Sequence, residues 1–270
     1  MAMPSDLITI KTLKAWNGLT AATDDETLGM LISQISRSVI SYINRSTVLP
    51  RAYTEVLDGN GKGGLMLKNW PVQSITSLTI DGQAIPAAKL FSDSGYLLGQ
   101  ADPEPPGSRQ VLLLRHRCFH RGLQNVTVTY QAGYQIRAEP VVAAAAVTVQ
   151  QPFGAWGSDT GVVNAATGAA LAKVAGAPTQ GQYQLSTTVV GGYVFNAADA
   201  GLNVLISYGF IPADLAEATL EWASERLAYR QRIGQQSKTL GGQETVSFAI
   251  TDMPKFVTAR LQQFCGVATL

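Results

Sequence analysis

Histidine and cysteine are almost missing from this chain: two of each in 270 residues. Cys118 and Cys265 are too few for a disulfide framework or a four-cysteine zinc site, and two histidines leave metal chemistry few ligands. Charge is also scarce. Charged residues make up 14% of the chain, against about a quarter in an average globular protein. Twenty basic and nineteen acidic residues give a net charge of +1, which argues against a dedicated nucleic-acid binder with its strongly basic footprint and against an acidic disordered tail. The longest apolar run, Val141 to Val147, is well under half of the ~20 residues a membrane span needs. Met1 to Asp6 lacks a basic region followed by an apolar stretch, so no secretory signal is expected. A soluble protein made in a reducing cytoplasm is expected.

Catalytic groupings are missing as well. There is no G-x-S-x-G elbow, no H-E-x-x-H and no Walker phosphate loop. Gly59-Asn-Gly-Lys-Gly-Gly64 resembles a phosphate cradle, but no helix start follows it, so a hairpin turn is the better reading. Asp24, Asp25 and Glu26 suit helix capping rather than acid–base work. The expectation is a non-enzyme with no catalytic residues, no cofactor and no metal ion.

What is present is patterned. Thr23 and Glu26 have the spacing of a capping box. After them, Leu28, Leu31, Ile32, Ile35, Val39 and Ile43 recur every three or four residues, predicting a helix from about Asp24 to Asn44. A shorter helix near Ile10–Trp16 should end at Gly18. From Tyr53 the pattern changes to strands and turns: Tyr53–Leu57 and Leu65–Leu67 read as extended, Trp70-Pro71-Val72 leads to Ile75, Leu78 and Ile80 (closed by the Asp81-Gly82 turn), and Val111–Leu114 and Val126–Tyr130 supply two more strands. The proline-rich stretch Asp102–Ser108 reads as a loop.

Composition shifts again near Ala138. Between Pro140 and Tyr208 the only charged residues are Asp159, Lys173 and Asp199. Short β-rich runs at Ala146–Gln150, Gly161–Asn164, Gln182–Thr187, Tyr193–Phe195 and Val204–Tyr208 suggest a small antiparallel sandwich. Val141–Ala146 reads as strand or as a short helix. The helical code then returns. Pro212 suits a first turn, with Leu215, Ala218, Trp222, Arg226, Tyr229 and Ile233 along one flank. Gly241-Gly242 marks a hairpin or flexible loop, and a last helix is opened by Asp252 and Pro254. The expected fold is α+β: a helical bundle with antiparallel β strands and hairpins, interrupted by an inserted all-β, sandwich-like domain. The expected boundaries are 1–137 plus 209–270 for the core and 138–208 for the insert.

Two constellations stand out. His116, Cys118 and His120 form an H-x-C-x-H string. On an extended strand its ends would lie about 13 Å apart, too far for one ion with ~2.0–2.3 Å bonds, so a solvated or interface strand is the favoured reading. Arg109, Arg115, Arg117 and Arg121 make the same stretch basic. They suit a phosphate backbone or an acidic partner surface, or else a charged edge that resists misassociation.

The order of motifs is itself informative. A short helix, Thr23-Asp-Asp-Glu26, a long helix ending Ile40-Ser-Tyr-Ile-Asn-Arg45, then Tyr53-Thr-Glu55, Asp58-Gly-Asn-Gly61 and Trp70-Pro-Val-Gln-Ser-Ile75 resembles the head–tail connector (adaptor, or head-completion) proteins of long-tailed bacteriophages. So does the closing series Ile211-Pro-Ala-Asp-Leu-Ala-Glu-Ala218, Tyr229-Arg230, Ile233-Gly234 and Asp252-Met-Pro254. The region 138–208 departs from shorter members and is similar to the small β modules that decorate virions.

The resemblance implies a structural protein of the virion neck, made in the bacterial host cytoplasm. Such proteins form a homo-oligomeric ring, commonly a dodecamer, below the portal protein. The ring extends the DNA channel, passes genomic DNA without sequence-specific binding, and offers a platform to a stopper or tail-completion protein; no membrane is involved. It implies portal docking by Pro254, Phe256, Val257, Leu261 and Phe264, whose stripe equally suits packing on the subunit's own helices. Arg109, Arg115, Arg117 and Arg121 become candidates for a DNA-channel or interface strand. The alternative is a tail or baseplate component whose β insert recognises glycan or capsid.

Overall fold

The computed structural model describes residues 6–99, 109–230, 237–240, 244–247 and 253–266. The chain divides into two compact units: one from the described parts of Met1–Ser46 and Ala213–Cys265, the other centred on Thr47–Pro212.

The larger unit is built of strands. β1 (Arg51–Gly59), β2 (Gly64–Met66), β3 (Val72–Ile80), β4 (Gln83–Ala84), β5 (Gly95–Leu98), β6 (Val111–Arg115) and β7 (Gly122–Ala132) form two sheets, ordered β1-β7-β3-β4 and β2-β6-β5. Every second residue of β7 points inward, so Val126, Val128, Tyr130 and Ala132 are all buried. They share a core with Leu78 and Ile80 of β3, Leu112 and Leu114 of β6, and Phe119. The Tyr130 hydroxyl lies in this core, donates to Glu55 Oε1 at 2.5 Å and accepts from the Asn69 amide at 3.2 Å. A buried hydroxyl without such partners would cost about 1–3 kcal/mol.

The chain continues through β8 (Gln135–Val142), β9 (Val147–Thr148), β10 (Gly154–Asn164), β11 (Ala172–Lys173), β12 (Gln182–Leu185), β13 (Gly192–Phe195) and β14 (Asn203–Pro212). These make a three-stranded sheet ordered β10-β14-β8 and a four-stranded one ordered β11-β12-β13-β9. One carboxylate ties them together. Asp159 on β10 has a side chain only 4% exposed; it accepts from Tyr183 Oη at 2.8 Å and Tyr193 Oη at 3.2 Å, and pairs with Lys173 Nζ at 3.1 Å. Trp156 Nε1 donates to the Tyr193 hydroxyl in turn. Within the three-stranded sheet, the Tyr208 hydroxyl of β14 donates to Glu139 of β8 at 2.6 Å, and the other Glu139 oxygen accepts from Gln150 N in the connection after β9.

The smaller unit is helical. α1 (Ile10–Asn17) is capped by Thr9, whose hydroxyl accepts from Thr12 N, and is closed by Gly18 in the left-handed conformation (φ 66°). α2 (Asp25–Tyr42) buries Leu28, Ile32, Ile35 and Val39. α1, α2 and α4 (Lys255–Leu261) all pack on α3 (Ala213–Arg230). Leu215, Ala218 and Trp222 of α3 are buried; Asn17 Nδ2 reaches Ser224 Oγ at 3.0 Å, and Arg260 lies 3.2 Å from Glu217 and 3.3 Å from Glu221. A two-stranded hairpin, β15 (Ser237–Leu240) with β16 (Glu244–Ser247), stands between α3 and α4.

The expected fold class is corrected here. Among the described residues strand outweighs helix, 37% against 25%, and the fold is not a helical bundle carrying hairpins. The strands of the first half pair across long sequence distances and enclose a core of their own, while the four helices found among the described residues make the smaller unit. The turn at Gly59–Gly64 is corrected as well. It does not close a hairpin: β1 pairs with β7 and β2 with β6, so the chain crosses from one sheet to the other there. The capping box is absent too. The N-cap is Asp24 rather than Thr23, and its backbone (φ −101°, ψ 4°) is not the extended conformation from which a capping side chain reaches the N2 or N3 amide, so it makes no side-chain cap. Val141–Ala146 is the end of β8 followed by non-helical chain. Asp102–Ser108, Ile233, Gly241-Gly242 and Asp252 lie outside the described residues.

Candidate interaction rim

The strand directions bring four connections to one end of the first pair of sheets. Gly59 at the end of β1 pairs with Gly122 at the start of β7, Ile80 at the end of β3 with Val126, and Gly95 at the start of β5 with Arg115 at the end of β6. The connections 60–63, 81–82, 85–94 and 116–121 therefore share one rim.

Its frame is hydrogen-bonded across segments. Phe119 is fully buried and anchors the 116–121 connection in the core; its amide donates to the Lys62 carbonyl and its carbonyl accepts from Gly61 N. Asn125 joins three segments: Oδ1 accepts from Gly59 N at 2.8 Å, and Nδ2 donates to Asp81 Oδ1 at 3.0 Å and to the His120 carbonyl at 3.1 Å. Gly59 has no room for a side chain, since a Cβ there would lie 1.7 Å from the His120 carbonyl oxygen. The Asp81-Gly82 turn takes positive φ at both residues (51° and 77°), the geometry a two-residue β3–β4 connection requires.

On this frame stand the charges. Arg115 Nη1 donates to the Leu90 carbonyl, and its guanidinium lies 5.3 Å from the centre of the Phe91 ring. Arg117 Nε donates to Ser94 Oγ at 3.0 Å, and Arg121 packs beside Gly61. The amides of Leu90 and Lys89 hold the Asp93 carboxyl below its ordinary range, with Arg115 adding to the effect. Leu90 (67% exposed), Phe91 (88%) and Leu123 (86%) face solvent. Exposed aromatics and arginines together are the composition that protein interfaces enrich.

Of the four arginines singled out in the sequence, Arg115, Arg117 and Arg121 meet on this rim. Arg109 does not; it precedes β6 at the opposite end and lies 5.4 Å from the centre of the Trp70 ring. His116 (φ 60°), Cys118 and His120 are on the connection after β6 rather than on a strand, and His120 Nδ1 faces Asp81 Oδ2 at 3.3 Å. Among the described residues, no three His, Cys, Asp or Glu side chains are grouped to hold a metal ion. In α4, Val257 and Leu261 are buried, Phe256 is 46% exposed and Pro254 is the N-cap; Phe264, in the 3-10 turn that follows, is buried too. Sequence reasoning missed Leu90, Phe91, Leu123 and the hub Asn125. The available signal was an apolar pair, Leu90-Phe91, set among turn-forming residues. Away from the rim, a concavity of about 660 Å³ touches Asn164, Gln180, Asp199 and Leu202, where Asp199 already accepts from Gly181 N.

The model of the head completion protein family matches residues 6–151, more than half of the chain. This chain belongs to the head completion protein family. The match takes in the whole rim together with α1 and α2, while β10–β14, α3 and α4 lie beyond it. No curated protein matches the chain. A head completion protein is a structural component of the phage virion at the head–tail junction, where its partners are portal or head proteins and tail proteins. No helix among the described residues is long and apolar enough to cross a membrane.

Proposed function

We propose that this head completion protein forms a homo-oligomeric ring, a dodecamer, below the portal, extends the DNA channel, and presents a platform to a stopper or tail-completion protein. The observation that carries this reading is the rim, where Arg115, Arg117 and Arg121 stand beside exposed Leu90, Phe91 and Leu123 on a hydrogen-bonded frame. The apolar side chains supply buried area to a protein neighbour, and the arginines supply weak contacts to passing phosphates. A conduit must not grip, because each phosphate neutralised adds salt-dependent affinity; a net charge of +1 suits that role.

Portal docking is proposed for the segment Pro254–Phe264. Phe256 is the side chain available without opening the helical unit, while Val257, Leu261 and Phe264 hold α4 in place. The segment 138–208 is proposed to be an insert relative to a core of 1–137 and 209–270. The pairing of β8 with β14 supports this, because it sets departure and return side by side.

Electron microscopy of portal particles mixed with the protein tests the reading. A ring added at the tail-facing end of the portal is expected, and density confined to tail tips would overturn it. Changing Arg115, Arg117 and Arg121 together to glutamine should lower the log–log salt slope of DNA retention by about 2–3. An unchanged slope would remove the channel role from the rim.

A further inference from the structure

The β15–β16 hairpin has four backbone pairs, from Ser237↔Ser247 to Leu240↔Glu244, and no third strand among the described residues. An isolated two-stranded hairpin is marginal in water and gains stability from a further strand or a packed face. Its own unit offers no other sheet among the described residues.

The chain also carries a free edge of matching type. β1 is the outermost strand of its sheet, and among the described residues no strand pairs with its outer side. It is nine residues long, with Val56 54% exposed, and its only register shift is at its very end, between Leu57 and Gly59. At ~3.4 Å per residue it offers about 31 Å of edge, ample for a four-residue strand of about 14 Å. The other long edge is unsuitable. β10 carries two register shifts, and parts of its outer side are taken: the Val162 carbonyl accepts from Leu171 N and the Asn164 amide donates to the Ala169 carbonyl. The remaining edge strands β2, β4, β5, β9 and β11 are two to four residues long; β8 has eight residues but a register shift and a positive φ at Ala138.

We propose that the hairpin of one copy of this chain adds, through β16, to the outer edge of β1 in a neighbouring copy. The inference rests on the ring reading and gives it a mechanism. Donor hairpin and acceptor edge are different patches, so the contact is heterologous and runs head to tail around a ring instead of closing a pair. Main-chain hydrogen bonds would carry the affinity, as in other strand additions. They would also cover an edge that is otherwise open to misassociation.

Cross-linking between copies tests this. In a background with Cys118→Ser and Cys265→Ser, one protein carries Val56→Cys and a second carries Glu244→Cys, Thr245→Cys or Val246→Cys. The two are mixed with portal particles and mildly oxidised. A disulfide-linked pair at twice the chain mass is expected with at least one of the three. Rings that form without any such link overturn the inference and leave the ring reading standing; failure to form rings at all overturns both. A link formed within one chain, when both cysteines are placed in the same protein at high dilution, overturns it as well.

Hydrogen exchange on the unmodified protein gives a second readout. Amides of 51–58 that face away from β7 should slow on the order of tenfold in the ring relative to the free chain, equivalent to about 1.4 kcal/mol. Unchanged exchange in assembled rings overturns the proposal. So does protection by portal without a copy-to-copy link, which would seat the portal on that edge.

Discussion

Asp159→Ala should cost more stability than any other single polar change in the 138–208 region. Its carboxylate accepts from Tyr183 and Tyr193 and, more weakly at 3.3 Å, from the Gly161 amide, with Lys173 alongside. Removal orphans two hydroxyls on residues that are 2% and 0% exposed. Each orphaned buried donor costs about 1–3 kcal/mol. The Tyr193 hydroxyl keeps its bond from Trp156, and Lys173, half exposed, regains water, so a loss of about 3–5 kcal/mol is expected. That is a large part of the ~5–15 kcal/mol of a typical domain. Asp159→Asn keeps one acceptor and should cost about half as much, and Lys173→Met under about 1 kcal/mol. Urea unfolding followed by tryptophan fluorescence reads all three, since Trp156 is in the network. A double-mutant cycle with Tyr183→Phe should show coupling of about 1–2 kcal/mol. A cost for Asp159→Ala below about 1 kcal/mol, or strict additivity with Tyr183→Phe, would refute the view that this carboxylate holds the two sheets together.

Alkaline pH should loosen the strand-built unit. The hydroxyls of Tyr130, Tyr183, Tyr193 and Tyr208 are all raised above the ordinary tyrosine value of 10, by burial first and also by the neighbouring carboxylates Glu55, Asp159 and Glu139. The folded state keeps protons that the unfolded chain releases, so stability is fully present below about pH 9 and falls as pH climbs past 10. Urea midpoints that stay level to about pH 11 would refute this. In α4, Leu261→Ala should cost about 2–5 kcal/mol, whereas Phe256→Ala should change stability by less than about 1 kcal/mol yet weaken portal binding in a pull-down. Equal thermal destabilisation by the two would contradict their burial. Gly59→Ala should drive the 116–121 connection away from β1 at a cost of about 1–3 kcal/mol and impair ring assembly on portal particles; a wild-type melting temperature would show that the close approach to His120 can relax.

Much of the local structure was legible because it depends on near neighbours. The stripe Leu28–Ile43 requires a helix wherever it sits, Gly18 ends α1 through its own permitted φ, and Asp81-Gly82 turns β3 into β4. The motif order also carried the head-completion family, because the spacing of turns and helices survives without knowledge of the packing. The basic character of residues 109–121 was equally plain in the sequence.

What the sequence left open was pairing. Asp58-Gly-Asn-Gly61 has the local chemistry of a hairpin, yet Asn125 and Phe119, more than fifty residues away, draw those residues into a crossing between two sheets. The same long-range choice made strand rather than helix the dominant material of the chain. It gathered Arg115, Arg117 and Arg121 on one rim while sending Arg109 to the other end. It buried Val257, Leu261 and Phe264 and left Phe256 in solvent. Periodicity records which face a segment must hide, an interaction between residues two to four apart. Which partner hides it is decided by the shared free energy of the whole core, so only the tertiary structure could settle strand order, rim and edge.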